Sequence, residues 1–578
     1  MSFLRNTFMN VYKKKAYPNY WDLIALFIVL NVIVVLAIVA KQMSVPYELG
    51  EKLPISLDPG FLPEYAMRTV ARMLIALFFS LLFTFIFATW AAKSRRAERI
   101  IIPCIDILQS VPVLGFLSIT VVGFIAIFPG SLLGPECAAI FAIFTSQAWN
   151  MALGFYQTVR SVPYELNEAA DMLHLSAWQR FWRIDVPFSM PGLLWNTMVS
   201  MSAGWFFVVA SEAISVSNQQ ILLPGIGSYI TVAIQSANMR AIGYAVFTMF
   251  IVILIYDQFL FRPLVAWAEK FKSEQTTIEG KEAHSWVINL LHRTRLLRYV
   301  GEYLRRLFDA FVNLSILRSK EDSPLHKKNT SHFISYFING VLIAILFGIV
   351  GYSTYFLFSY VPWYSIEHVF ILGLITALRV IILVILCSLV WVPIGIWIGL
   401  RPNVANIVQP IAQFLAAFPA NLLYPFVVIL IVTYHLNVNV WVTPLMALGA
   451  QWYILFNVIA GASVIPKDIL QVADNLGLSP LLRWRRLILP SIFPYYITGA
   501  ITATGGTWNA SIVAEVVPWG NTKLVAIGLG AYITESTTNG NFIHTALGIG
   551  MMCILVLFFN YLIWRPLYVL SQKRFMQD

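Results

Sequence analysis

Two stretches of this chain repeat one spacing of acidic, small and apolar residues. The first is Glu168-Ala169-Ala170, then His174, Ile184 and Pro187; the second is Gln471-Val472-Ala473, then Gly477, Leu487 and Pro490. Each pattern describes a short helix opened by Pro163 or Pro466, which cannot continue a preceding helix. Glu165 and Glu168 suit the positive end of such a helix, and Gly477 permits the turn that closes it. A helix of this kind, held as a polar loop between apolar segments, is fit to receive a push from a soluble partner. Bond-making chemistry finds no candidates. The sequence has no G-x-x-x-x-G-K-[ST] phosphate cradle, no His/Asp/Glu cluster at metal-ligand spacing and no Ser-His-Asp arrangement, so no catalytic residue and no cofactor is expected in this chain.

A second set of candidates is polar residues inside apolar stretches. A charge at the middle of a bilayer costs roughly 2.5–3.5 kcal/mol on insertion scales, so such residues face water, protein or a pathway. Glu212 and Glu515 follow the loop prolines at equal distance; they either line a gate or brace the glycine turn just beyond them. Trp205 and Trp508 serve a gate or packing, and Asn150, Asn196 and Asn509, with Gln147, serve a pathway or helix–helix hydrogen bonds. Arg72 and Arg379 are expected to snorkel from a span end to the interface.

The elements that must position these residues are membrane spans. The chain has 578 residues, is 59% hydrophobic and 12% charged, and has a mean hydropathy of +0.74, which excludes a water-soluble globular protein. At about 20 apolar residues per crossing, twelve spans are expected. They lie at 22–41, 66–92, 101–128, 136–157, 191–215 and 241–263, then at 333–359, 369–399, 407–433, 440–461, 494–517 and 543–565. Leu23 to Ala40 reads as an uncleaved first span rather than a signal peptide. The net charge of +11 does not indicate nucleic acid, because the Lys and Arg collect in loops between apolar segments. Cys104, Cys137, Cys387 and Cys553 are scattered and form no metal or disulfide pattern.

Lys93, Arg95, Arg96 and Arg99, both repeated loops and the linker 268–332 fall on one side, the cytoplasm by the positive-inside rule, with both termini inside. The segment Tyr47 to Glu64, carrying Glu48, Glu51, Asp58 and Glu64, suits the other side. An internal duplication is visible throughout. A shift of 303 residues pairs Pro163/Pro466, Asp171/Asp474, Trp205/Trp508, Glu212/Glu515 and Gly227/Gly530, and a shift of 307 pairs Thr69/Thr376, Arg72/Arg379 and Pro112/Pro419. Two six-helix domains follow, 1–267 and 333–578, of equal topology, with a solute pathway expected between them. The linker 268–332 carries a basic amphipathic pattern over 286–317, suited to the cytoplasmic leaflet.

The repeated spacing resembles the EAA signature, E-A-A-x3-G-x9-I-x-L-P, of permease subunits of ABC-type importers, and the resemblance covers nearly the whole chain. Trp205, Ser211-Glu212 and Gly225-Ile226-Gly227, with Trp508, Ala514-Glu515 and Gly528-Leu529-Gly530, look most like the nitrate/sulfonate/taurine/bicarbonate class. The resemblance implies an all-α polytopic fold of the type I importer, as two permease domains fused in one chain of the bacterial inner membrane. It further implies two ABC ATPase subunits that bind ATP and Mg and dock on the two loops, an extracytoplasmic solute-binding protein, and a small solute. Glu168, Ala169, Ala170, His174, Ile184, Pro187, Gln471, Ala473, Gly477, Leu487 and Pro490 would then be the ATPase-coupling residues. Two departures stand out: His174 replaces the usual turn glycine, so the first loop is expected to bend differently, and Gln471 replaces the acidic residue. The alternative, an ion-gradient-driven secondary transporter of 6+6 helices, shares the duplication but leaves the paired loops unexplained; a membrane scaffold or receptor predicts no flux at all.

Overall fold

The computed structural model describes residues 53–575 apart from 111, 217–218, 269–285, 288–293, 314–347, 349–350, 353–354, 356–358 and 521, together with short pieces between 41 and 47. The expected spans 22–41 and 333–359 fall almost wholly outside the described residues. Two compact units are formed: Met1–Gln42 with Gln157–Trp195 and Ile255–Lys327, and Met43–Tyr156 with Asn196–Leu254 and Lys328–Asp578.

The first repeat runs as α1 (Pro59–Lys93), α2 (Arg95–Ser110), α3 (Val113–Ile127), α4 (Leu133–Arg160), α5 (Tyr164–Met172), α6 (Ala177–Ser211), a hairpin of β1 (Ala213–Val216) and β2 (Gln219–Leu222), α7 (Ile226–Gln235) and α8 (Met239–Ala268). After α9 (Arg295–Val312) the second repeat gives α10 (Trp363–Gly399), α11 (Pro402–Ala417), α12 (Ala420–Thr433), α13 (Val438–Ser463), α14 (Lys467–Asn475), α15 (Pro480–Ala514), the hairpin β3 (Val516–Trp519) and β4 (Thr522–Val525), α16 (Leu529–Thr538) and α17 (Phe542–Ser571). The correspondence extends to single turns of π-helix, at Phe181–Asp185 and Trp484–Ile488 and at Asp257–Phe261 and Asn560–Trp564.

Among the described residues eight helices are long and apolar enough to cross a bilayer, nine if α11 and α12 are one bent span. Two of the twelve expected spans lie almost wholly outside the described residues, and two expectations about the others need correcting. The segments 101–128 and 407–433 are not continuous spans: each breaks at its proline, Pro112 or Pro419, and α12 turns 78° from α11. Proline lacks the amide donor and drives the residue before it out of the helical region, so the break is written into the chain. The segments 191–215 and 494–517 end as helices at Ser211 and Ala514, where each hairpin begins.

Within the larger unit, residues of both repeats share one apolar cluster, in which Leu114, Val121, Ala142 and Ile214 join Val380, Met446, Trp508 and Ile533. Helices surrounded by lipid gain little from hydrophobic burial against each other, so close approach matters more. Gly395 and Gly399, one turn apart on α10, seat α13 directly: a Cβ at either would come within 2.8 Å of Val458 or 2.6 Å of Ala462.

The short helices α5 and α14 close in the same way. His174 has φ +48° and Gly477 φ +60°, both left-handed. In each, the next amide reaches back five residues, Leu175 N to Ala170 O at 3.1 Å and Leu478 N to Ala473 O at 3.2 Å, forming the paired bonds of a glycine-type helix stop. The first loop thus does not bend differently, and histidine takes the glycine conformation at a steric cost of about 1–2 kcal/mol. His174→Gly is accordingly expected to raise, and Gly477→Ala to lower, the protection of the adjacent amides by about that amount, measured by hydrogen exchange in detergent or nanodiscs.

Candidate functional site

At the end of each long helix a carboxylate organises four separate pieces of chain. Glu212 follows α6 directly and is fully buried. Its Oε1 accepts hydrogen bonds from Arg72 Nη1 at 2.6 Å and Thr69 Oγ1 at 2.7 Å on α1, and its Oε2 accepts from the Gly227 amide at 2.6 Å at the start of α7. Its backbone carbonyl takes the Leu223 amide at the end of the hairpin and the Ser228 hydroxyl. Thr69 Oγ1 in turn receives the Ile226 amide at 3.1 Å. The second repeat reproduces this with Glu515: Arg379 Nη1 at 2.6 Å, Thr376 Oγ1 at 3.0 Å, the Ala531 amide at 3.0 Å, and the Leu529 amide on Thr376 at 2.8 Å.

These contacts give the glycine pattern its physical reason. Gly225 and Gly528 have extended backbones, and a Cβ at either would overlap the carboxyl group of Glu212 or Glu515. Arg72 and Arg379, expected to snorkel, are instead buried among protein groups. A charge at that depth is retained only where its donors are used, and here they are. Arg72 grips Glu136 with two parallel bonds, Nε to Oε2 at 2.6 Å and Nη2 to Oε1 at 2.7 Å, and also donates to Pro224 O at 3.0 Å.

The two clusters differ in charge. Glu136 stands 303 residues before Asn439, which has no charge: Arg379 Nη2 meets the Asn439 backbone carbonyl at 3.4 Å, and Asn439 Oδ1 accepts the Ile527 amide at 2.8 Å. The first cluster therefore holds two acidic side chains on one guanidinium and the second holds one. Sequence reading singled out Glu212 and Glu515 but missed Glu136, because its partner position in the duplication is not acidic.

The repeats also meet each other inside the larger unit, through the breaks in their third spans. The Val113 amide, opening α3, donates to Asn509 Oδ1 on α15 at 2.9 Å, and Asn421 Nδ2, opening α12, donates to Phe206 O on α6 at 3.3 Å. Phe206 and Asn509 are equivalent positions in the duplication, so the two contacts are related by the internal pseudo-symmetry. Asn509 was identified from sequence and Asn421 was not, since an isolated amide carries no pattern.

The remaining candidates lie elsewhere. Trp205 and Trp508 are each 1% exposed and packed. Asn150 Nδ2, on α4, donates to Ser200 Oγ at 2.9 Å and to Asn196 O at 3.3 Å on α6. Asn196 presses on Gly154 of α4, whereas in the second repeat Asn457 of α13 presses on Gly499 of α15: amide and glycine have exchanged helices. An open groove of about 420 Å³ beside α10 and α15 is lined by Ile385, Leu389, Ile492 and Phe493, with Ser388 and Tyr496 bonded to each other, and holds no charge.

Among the loop residues, Glu168, Ala169, His174, Gln471 and Gly477 are exposed, Ala170 and Ala473 are buried as the inward anchors of α5 and α14, and Ile184, Pro187, Leu487 and Pro490 are half-buried where the long helices begin. Each loop is closed by an ion pair at the same register, Asp171 with Arg180 and Asp474 with Arg483. Both leave apolar side chains open to their surroundings, including Leu173, 72% exposed, and Leu476, 70% exposed, which are equivalent positions.

Comparison with known proteins matches the binding-protein-dependent transport system inner membrane component twice along the chain, at residues 80–261 and 391–575. Curated relatives include the bicarbonate transport system permease protein CmpB of Synechocystis sp., 30% identical over 151 residues, covering 26% of this chain and 51% of the relative. The nitrate import permease protein NrtB of Leptolyngbya laminosa is 26% identical over 185 residues, covering 32% and 63%, and the taurine transport system permease protein TauC of Escherichia coli is 24% identical over 210 residues, covering 35% and 74%. The chain spans about half the length of the first of these relatives.

Breaking a buried ion pair by removing one partner costs about 3–5 kcal/mol, because the other charge stays buried alone. Arg72→Leu and Arg379→Leu are both expected to lower thermal stability of the detergent-purified protein sharply, Arg72→Leu more, since it strands two carboxylates. Equal, small shifts for the two variants would contradict the difference in charge described above.

Proposed function

This chain belongs to the family of binding-protein-dependent transport system inner membrane components, and from that premise we propose that it is the whole membrane pathway of an ATP-driven ABC importer, with two fused permease domains doing the work of two subunits. It makes no chemical bonds itself; two separate ABC ATPase subunits bind and hydrolyse ATP with Mg. They dock on α5 and α14 from the cytoplasm, where both termini also lie. An extracytoplasmic solute-binding protein delivers the solute from the other side of the bacterial inner membrane.

The observation that carries this reading is the twin construction of α5 and α14. Two helices with the same proline start, the same left-handed stop and the same Asp–Arg staple each hold an exposed apolar leucine in a loop between spans. Each leucine has an exposed apolar neighbour, Met172 beside Leu173 and Val472 one helical turn before Leu476, and such grouped apolar exposure favours a protein contact. The continuous backbone from each stop into α6 or α15 supplies the lever that carries a displacement into the bilayer.

The solute is proposed to be a small anion of the bicarbonate, nitrate or sulfonate type, passing between the two repeats. The family relatives support this, and so does the junction itself. The buried carboxylates are held by arginine rather than offered to a solute, while the positive ends of α3 and α12 lie at the contacts made by Asn509 and Asn421. Trp205, Trp508, Asn150 and Asn196 are then supports of this pathway, and Glu212 and Glu515 brace it.

Leu173→Asp and Leu476→Asp, alone and together, test the docking role. Each is expected to weaken co-purification with the ATPase subunits by tenfold or more, equivalent to about 1.4 kcal/mol, and the double variant to abolish ATP-dependent uptake in proteoliposomes. Unaltered assembly and uptake in the double variant would overturn the reading.

A further inference from the structure

The two docking loops are not dressed alike. In the smaller unit α9 lies across the segment that follows α5. Trp178 Nε1 donates to Phe311 O at 3.3 Å, and Asn313 Oδ1 receives both Gln179 Nε2 at 3.0 Å and Arg183 Nη2 at 3.2 Å. The rings interlock edge to face, Trp178 with Phe311 at 5.1 Å and Trp182 with Phe308 at 5.4 Å between centroids. At the equivalent positions of the second loop stand Leu481, Leu482 and Arg485, and both leucines are exposed. The duplication was thus broken on both sides of the contact: the second loop lacks the aromatic pair, and among the described residues α9 meets the first loop.

Phe311 and Phe308 occupy only the C-terminal end of the apolar face of α9. Farther back on that face, Tyr303, Leu304 and Leu307 are 63%, 57% and 49% exposed, with Arg305 and Arg306 exposed on the polar side. An apolar stripe backed by arginines is complementary to an anionic bilayer surface. The stripe enters the acyl boundary while the arginines are drawn to the negative surface potential. The linker connects two membrane domains, which favours a bilayer surface over a soluble partner as the occupant of this stripe.

We propose that α9 is a lipid-surface anchor that grips the first docking loop through Trp178 and Trp182, so that anionic lipid sets how firmly the ATPase subunit on that loop is coupled. The effect on coupling rests on the transport reading above; lipid binding by α9 does not. The test uses the full chain with its four native cysteines replaced by alanine and a nitroxide attached at Leu307→Cys, reconstituted in vesicles of phosphatidylcholine alone or mixed with phosphatidylglycerol. With phosphatidylglycerol the label is expected to be relaxed by oxygen and shielded from a water-soluble nickel chelate, and Arg305→Glu with Arg306→Glu to return it to water. A label reached freely by nickel in phosphatidylglycerol vesicles, or one indifferent to charge reversal, overturns the anchor.

In parallel, nucleotide hydrolysis by the assembled transporter is expected to be several-fold higher with phosphatidylglycerol. Trp178→Leu, which installs the residue of the second loop, is expected to abolish that difference while the Leu307 label still reads lipid. A lipid difference that survives Trp178→Leu overturns the link between anchor and loop. Absence of hydrolysis in either vesicle would remove the transport reading and the coupling claim with it, leaving the label to decide lipid binding alone.

Discussion

Each repeat is held by a buried carboxylate answered by an arginine, which in the first repeat grips a second carboxylate as well. Glu212 and Glu515 sit where a long helix stops, and each ties together that helix, the hairpin after it, the amides opening the next helix, and the second span of its own repeat. Apolar packing cannot do this inside a bilayer, since lipid chains satisfy an apolar side chain as well as protein does. A charged group there has no alternative partner, so the geometry that satisfies it is strongly preferred. The glycines pressed against each carboxylate and the hairpin that returns the chain follow from that single demand.

Fusing two copies in one chain frees them to diverge, and the structure displays where they have. The acidic excess at Glu136 is absent at Asn439, the amide and glycine of the α4–α6 contact trade places between α13 and α15, and α9 grips the segment after α5 through a tryptophan that the second repeat replaces by leucine. What did not diverge is equally telling: the helix stops at His174 and Gly477, the Asp–Arg staples and the paired junction at the two broken spans. The parts retained in both copies are those proposed to receive and transmit force.

Most of this was legible in the residues because duplication supplies its own control. Spans, loops and the Glu–Gly relation could be read twice at one register. What escaped was non-local or asymmetric. Arg72 looked like a snorkelling residue because its partners Glu136 and Glu212 are far away in sequence, and nothing in a hydropathy pattern brings three spans to one point. His174 looked like a departure from glycine, yet the surrounding helix stop imposes the left-handed conformation regardless of the side chain. Pro112 and Pro419 were seen as a matched pair inside continuous spans, whereas both prolines themselves leave the helical region.

The central claim is that two equivalent loops receive nucleotide-driven work and move together. Spin labels at Leu173→Cys and Leu476→Cys in the assembled transporter report it through double electron–electron resonance. The account predicts a distance distribution that shifts to shorter values when ATP binds and returns after hydrolysis. A distribution identical with and without nucleotide, in a complex that still hydrolyses ATP, would contradict it.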